Sequence, residues 1–230
     1  MAGRALFVHS PLVGPATVLP LARVLDTHWG VHAPDLRNAL SSTEDFARAP
    51  ASAGRCNLLI GHSGAGALLP VIATHVQPDV VVFVDAVVPP EGDTYTPSAT
   101  FLELLDTIPT AGGLLAPWHE WWPPGTIERL VPDPRQRATI VDEIPRVPRA
   151  FYEQSFALPP NWWTGPMAYL QLSGAYDEDR ARAEAWGWPT AGIEGHHLDV
   201  VTRPALVAEA VGQLVTRITG WTGEYGSPDQ

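Results

Sequence analysis

Short runs of uninterrupted apolar residues alternate along this chain with segments whose apolar positions recur every three to four residues. The runs at 5–8, 56–61 and 80–84, with a weaker one at 30–33 closed by Pro34 and Asp35, read as strands. Segments 16–25 and 64–76 read as helices, the second ended by Pro78, and 42–49 reads as a short helix with Ser41 or Ser42 as its N-cap. After Pro89 the pattern breaks into a stretch dense in proline and tryptophan, where only 101–105, 126–130 and 135–142 look helical. Alternation resumes with a strand at 167–172, a helix at 179–186, a last strand at 190–193 and a long amphipathic helix at 204–219. Strands that are apolar on both faces and separated by amphipathic helices predict a mainly parallel sheet of about six strands with helices on both sides. The expected organisation is a core made of 1–90 and 166–219, an ordered helical cap inserted at 91–165, and a flexible tail at 220–230.

Composition narrows the chemistry. With 230 residues, 45% hydrophobic and 17% charged, the chain can bury a single sizeable core. Its formal charge of -11 includes no lysine, so every basic residue other than histidine is arginine. That balance argues against nucleic acid and against an anionic membrane as partners. It also removes Schiff-base chemistry and lysine bases, leaving serine, histidine, the carboxylates and Cys56 as reactive groups. One cysteine cannot form an internal disulfide, and Cys56 in its apolar run reads as a buried structural thiol. No apolar run approaches the ~20 residues of a spanning helix, and residues 1–8 are too short before Pro11 for a signal peptide. The expected compartment is the cytoplasm.

The segment 58–69 reads LLIGHSGAGALL, setting Ser63 between an apolar strand and an apolar helix. A serine at such a turn is forced into strained geometry with its hydroxyl clear of the sheet, and small residues on either side let strand and helix approach. Ala65 stands where the G-x-S-x-G form has its last glycine, with Gly66 adjacent. The helix behind Ser63 would present backbone N–H groups, Gly64 first, where negative charge develops on a substrate oxygen.

With this elbow the chain resembles the α/β-hydrolase superfamily and, more loosely, its branch of hydroxynitrile lyases and small esterases. The resemblance spans residues 4–218: a strand ending at His9, Ala33 to Asp35, the serine turn, the strand ending at Asp85, and Gly195, His196 and His197 ahead of Pro204. It implies an α/β-hydrolase fold and a general base in GHHLDVVTRP, where the interval to Pro204 favours His197 over His196. A metal site is disfavoured, since adjacent side chains on an extended segment diverge, and no cofactor is expected. The implied acid is Asp177 in the turn GAYD, with Asp85 at the end of the preceding strand as the alternative.

The oxyanion side departs from the family pattern. Relatives read His-Gly-x after the first strand, with the N–H of x as a donor, whereas here His9, Ser10 and Pro11 stand in line and proline has no N–H. The Ser10 hydroxyl or the Leu12 N–H is the expected substitute. His9 and His62 read as structural. Trp121 and Trp122 in the cap are expected to line a hydrophobic pocket. The leading reading is a serine hydrolase acting on an ester, thioester or lactone of a hydrophobic small molecule. The alternatives are a lyase or cyclase on the same fold, favoured by Pro11, and a ligand receptor.

Overall fold

The structure is a computed structural model that describes residues 3–220. Six parallel strands form the central sheet: β1 (Gly3–Val8), β2 (Trp29–His32), β3 (Leu58–Ser63), β4 (Val80–Ala86), β9 (Met167–Gln171) and β10 (Thr190–Gly192). Their order across the sheet is β10-β9-β4-β3-β1-β2. The two middle strands are apolar in every letter up to their last residues because both sheet faces are covered, and alternate side chains feed opposite cores. Phe7, Ile60, Val82 and Leu170 pack on one side with helices α1 (Leu19–Leu25) and α10 (Pro204–Thr219). Leu6, Leu59, Phe83 and Tyr169 pack on the other with α2 (Thr43–Arg48), α3 (Leu69–Val76) and α8 (Asp177–Ala185).

Two helices start later than their apolar periodicity suggests, for one reason. Pro20 and Pro70 sit in the first turns of α1 and α3, where a missing N–H is harmless, but each ring would strike the carbonyl four residues earlier if the α-helix began sooner. Residues 15–17 and 64–68 therefore form 3-10 turns leading into the helices. Ser42 is the N-cap of α2, its hydroxyl accepting from Asp45 N–H at 3.0 Å.

Between β4 and β9 lies the proline- and tryptophan-rich stretch. Its two ends are held together by an antiparallel pair, β5 (Thr94–Tyr95) with β8 (Phe156–Ala157). A hairpin joins β6 (Thr110–Ala111) to β7 (Leu114–Leu115) through Gly112 and Gly113, both at positive φ. Helices α4 (Ala99–Thr107), α5 (Thr126–Leu130), α6 (Pro134–Asp142) and α7 (Arg149–Tyr152) complete it; α4 packs on a small core of Leu105, Ile108, Leu115 and Ala116, while Ile127, Leu130 and Ile140 of α5 and α6 join the core on the α1 and α10 side. Two polar ties fasten this layer to the helical turns that flank the sheet. Glu143 accepts from Ala16 N–H at 2.7 Å, and Gln154 accepts from the Thr43 N–H and hydroxyl, both at 3.0 Å.

After β10 the chain forms a short helix, α9 (Asp199–Thr202), before α10. Gly220 closes α10 in the left-handed region, and the remainder of the expected tail lies outside the described residues. No helix among the described residues is long and apolar enough to cross a membrane.

Candidate active site

Ser63 ends β3 at φ 60°, ψ -133°, a conformation that non-glycine residues rarely adopt. Close packing holds it there. A methyl group on Gly61 would meet the Leu69 side chain at 2.7 Å, and one on Gly66 would lie 2.2 Å from the Val87 carbonyl oxygen. The elbow thus needs its glycine at 66, while buried Ala65 fits where the motif would have one.

The neighbouring strand carries a second strained residue. Pairing between β3 and β4 runs from Leu58 with Val80 to His62 with Val84, then shifts so that Ser63 faces Ala86. Asp85 is left over as a bulge at φ 43°. Tyr169 fixes this bulge from β9: its buried hydroxyl donates to the Ala86 carbonyl at 2.9 Å and accepts from the Ala86 N–H at 3.2 Å. The bulge turns Asp85 toward the loop that follows β10, where His197 Nδ1 donates to Asp85 Oδ2 at 2.7 Å.

Asp85 is fully buried and fully satisfied. Oδ1 accepts from the N–H groups of Leu172 and Ser173 at 2.8 and 2.9 Å, and the Ser173 hydroxyl donates to Oδ2 at 2.7 Å. Burial pushes this carboxyl upward, but the bonds from His197, Ser173 and Leu172 outweigh it and hold Asp85 below the ordinary carboxylate value. An ionised Asp85 fixes His197 with its proton on Nδ1, leaving Nε2 as an acceptor.

Two rings stack with that imidazole. His62 lies 4.4 Å away at 24° and donates from Nε2 to the His197 carbonyl at 3.0 Å, and its own buried Nδ1 has no partner among the described residues. Desolvation, with the neighbouring His197, lowers its pKa to about 3, so His62 stays neutral. Tyr176 lies 5.2 Å away at 18°, and its hydroxyl is 3.2 Å from Ser63 Oγ.

A small cavity opens beside Ser63, His197 and Ser10, walled by Leu12, Leu198 and Trp118. Its volume of about 10 Å³ matches one water molecule. Ser10 is buried there, with its Oγ 3.1 Å from where a Cβ on Gly64 would stand and accepting from Leu12 N–H at 3.3 Å. His9 braces the loop: its Nε2 accepts from Leu36 N–H at 3.0 Å, so Nδ1 carries the proton donated to the Ser10 carbonyl at 2.8 Å.

No protein-family model matches the sequence, and no curated protein matches it. Solved structures do. A pyrethroid hydrolase from Sphingobium faniae JZ-2 superposes with a TM-score of 0.72 at 17% identity, over 96% of this chain and 100% of that one. An extracellular α/β-hydrolase from a Paenibacillus species gives 0.69 at 17%, over 94% and 98%. A methylesterase from Arabidopsis gives 0.66 at 15%, over 93% and 99%. The chain has the α/β-hydrolase fold.

On this α/β-hydrolase fold the residues singled out from the sequence separate into two groups. Ser63, His197, Ser10, Leu12 and Gly64 converge on the cavity or its rim. Asp177 does not join them: it opens α8 at the surface and accepts from the Gln171 amide at 2.5 Å. Asp85, the second choice, is the carboxylate on His197. His196 turns aside, with Nε2 3.3 Å from Asp199 Oδ1. Trp121 and Trp122 also lie away from the cavity. The Trp121 indole donates to the Ala116 carbonyl at 2.7 Å within the small cap core, and Trp122 is exposed with its ring against Trp118.

Tyr169 was not singled out from the sequence, and neither Trp118 nor Tyr176 was set apart there from the other aromatic residues of the chain. For Tyr169 a signal existed: a polar tip in the otherwise apolar run of β9 needs a buried partner. Among the described residues no cluster of three or more histidine, cysteine or carboxylate side chains forms a metal site on this α/β-hydrolase fold.

Proposed function

We propose that this protein is a serine hydrolase that cleaves an ester, thioester or lactone of a hydrophobic small molecule through an acyl-enzyme on Ser63. One observation carries the reading: the 2.7 Å bond that fixes His197 on buried Asp85 next to a serine held at a strained strand-to-helix turn. In the proposed reaction Ser63 Oγ attacks the carbonyl carbon while its proton passes to His197 Nε2. Asp85 keeps the imidazole in the required tautomer and stabilises the imidazolium as it forms. Gly64 N–H and the Ser10 hydroxyl donate to the oxyanion. Ser10 fits this task because its Oγ already accepts the Leu12 N–H, which leaves its own proton to be donated. His197 then protonates the leaving group, and a water activated by His197 releases the acid.

The apolar character of Leu12, Leu198 and Trp118 around the cavity supports a hydrophobic acyl or leaving group. The lone Cys56, buried and with its thiol pKa raised to about 11 by burial, is consistent with a cytoplasmic enzyme without disulfides. A lyase or cyclase is the second reading, and Pro11, which has no N–H to offer an oxyanion in the loop after β1, favours it.

Intact-protein mass after exposure to a fluorophosphonate probe separates the two. The expected result is a single adduct that is lost in Ser63→Ala and forms at least a hundredfold more slowly in His197→Ala. Absence of any adduct on the wild-type protein rejects the hydrolase in favour of the lyase or cyclase.

A further inference from the structure

The turn that satisfies Asp85 also delivers a second group to the nucleophile. Leu172 and Ser173 bind the carboxylate through their backbone N–H groups, and the chain then makes one 3-10 turn, Gly174–Tyr176, which ends with the Tyr176 ring stacked on His197. Its hydroxyl stands 3.2 Å from Ser63 Oγ and makes no other hydrogen bond among the described residues. In the proposed reaction the Ser63 proton goes to His197, so the Tyr176 hydroxyl is assigned as the donor in this pair. Burial drives the Tyr176 pKa well above its ordinary value, against the smaller opposing effect of the bond to Ser63, so the group keeps its proton.

We propose that Tyr176 is a catalytic residue whose hydroxyl donates a hydrogen bond to Ser63 Oγ and stabilises the charge on that oxygen when the acyl-enzyme breaks down. This rests on the acyl-enzyme reading given above. In deacylation a water oxygen bonds to the acyl carbon and its proton goes to His197 Nε2. The bond from the acyl carbon to Ser63 Oγ then breaks, and Oγ regains a proton from His197. Ser63 is the leaving group of this step, and the Tyr176 proton is shared with the departing oxygen but never transferred. A bond to developing charge is stronger than the same bond to a neutral oxygen, which makes it selective for the transition state. During acylation the same bond lowers both the basicity and the nucleophilicity of Oγ, and the two effects offset each other.

The two steps are therefore expected to respond differently to Tyr176→Phe, which keeps the ring on His197. With p-nitrophenyl acetate the burst of p-nitrophenol should keep its rate within about threefold. Decay of the acetyl-enzyme, followed by intact mass after the ester is removed, should slow by about 10–100-fold, the weight of one hydrogen bond to a charged group. Equal slowing of both steps would overturn the proposal and leave Tyr176 as a packing residue for His197, and so would an unchanged decay. Fluorophosphonate labelling of both proteins separates this from failure of the underlying reading. Wild-type protein that takes no label at Ser63 overturns the acyl-enzyme and this inference with it. A labelled wild type whose variant loses its acetyl group at the normal rate overturns the inference alone.

Discussion

Asp85 and Asp177 differ at the level of single residues in what surrounds the charge. Asp85 is the last residue but one of the run VVVFVDA, in which every residue is buried, and a carboxylate there is tolerable only with several donors, which it has. Asp177 begins the acidic stretch DED at the start of α8, where a carboxylate is favoured by the helix N-terminus, the Gln171 amide and solvent. Asp85→Asn is thus expected to lower kcat/KM for a turned-over ester by about 10³–10⁴, the loss that follows when the base is held in the wrong tautomer. Asp177→Asn should stay within about threefold, and steady-state kinetics of the two variants decide between them. The serine and the histidine were legible because local letters define their surroundings. That His197 pairs with Asp85 rather than with Asp177 was not legible, because the two lie 112 positions apart and only the cost of burying a charge in β4 pointed to Asp85.

Elements were legible where burial dictates their pattern. All six strands of the sheet stand within a few residues of the apolar runs, and α10 spans the segment that its periodicity marks. Helix starts at proline were displaced, and the two-residue pairs β5–β8 and β6–β7 carry too few letters to show a period. The bulge of β4 was invisible too, since it arises from pairing between strands and from Tyr169 reaching across from β9. Tyr169→Phe tests that arrangement. Its ring still fills the core, but the Ala86 N–H and carbonyl lose their partner, which should cost about 1–3 kcal/mol in urea unfolding. Because Ala86 follows Asp85, activity should fall as well, with more effect on kcat than on KM.

In the molecule as a whole, acid is expected to act through a buried histidine. An unfolded histidine takes a proton near 6.5, whereas His62 in the folded protein resists until about 3. Between these values the unfolded state binds the extra proton, so stability falls as pH drops, by about 1.4 kcal/mol per pH unit for this one group. Asp85, with its folded pKa below the ordinary 3.8, adds to the loss only at the acid end of that window. Urea midpoints measured from pH 6.5 downward should accordingly flatten in His62→Gln relative to wild type, whatever the absolute stability of the variant. Layering on this scale was readable from alternation and from the change in composition after Pro89. The cavity wall was not, because which of the tryptophans faces Ser63 depends on how the cap seats on the sheet through Glu143 and Gln154. The space beside Ser63 has room for about one water molecule, so an ester turned over by the proposed reaction has to part Leu12, Leu198 and Trp118 as it enters. The free energy of parting them is subtracted from the binding of every such substrate, whatever its own contacts contribute. Preference among substrates and readiness to accept any of them would then be separate properties of the protein.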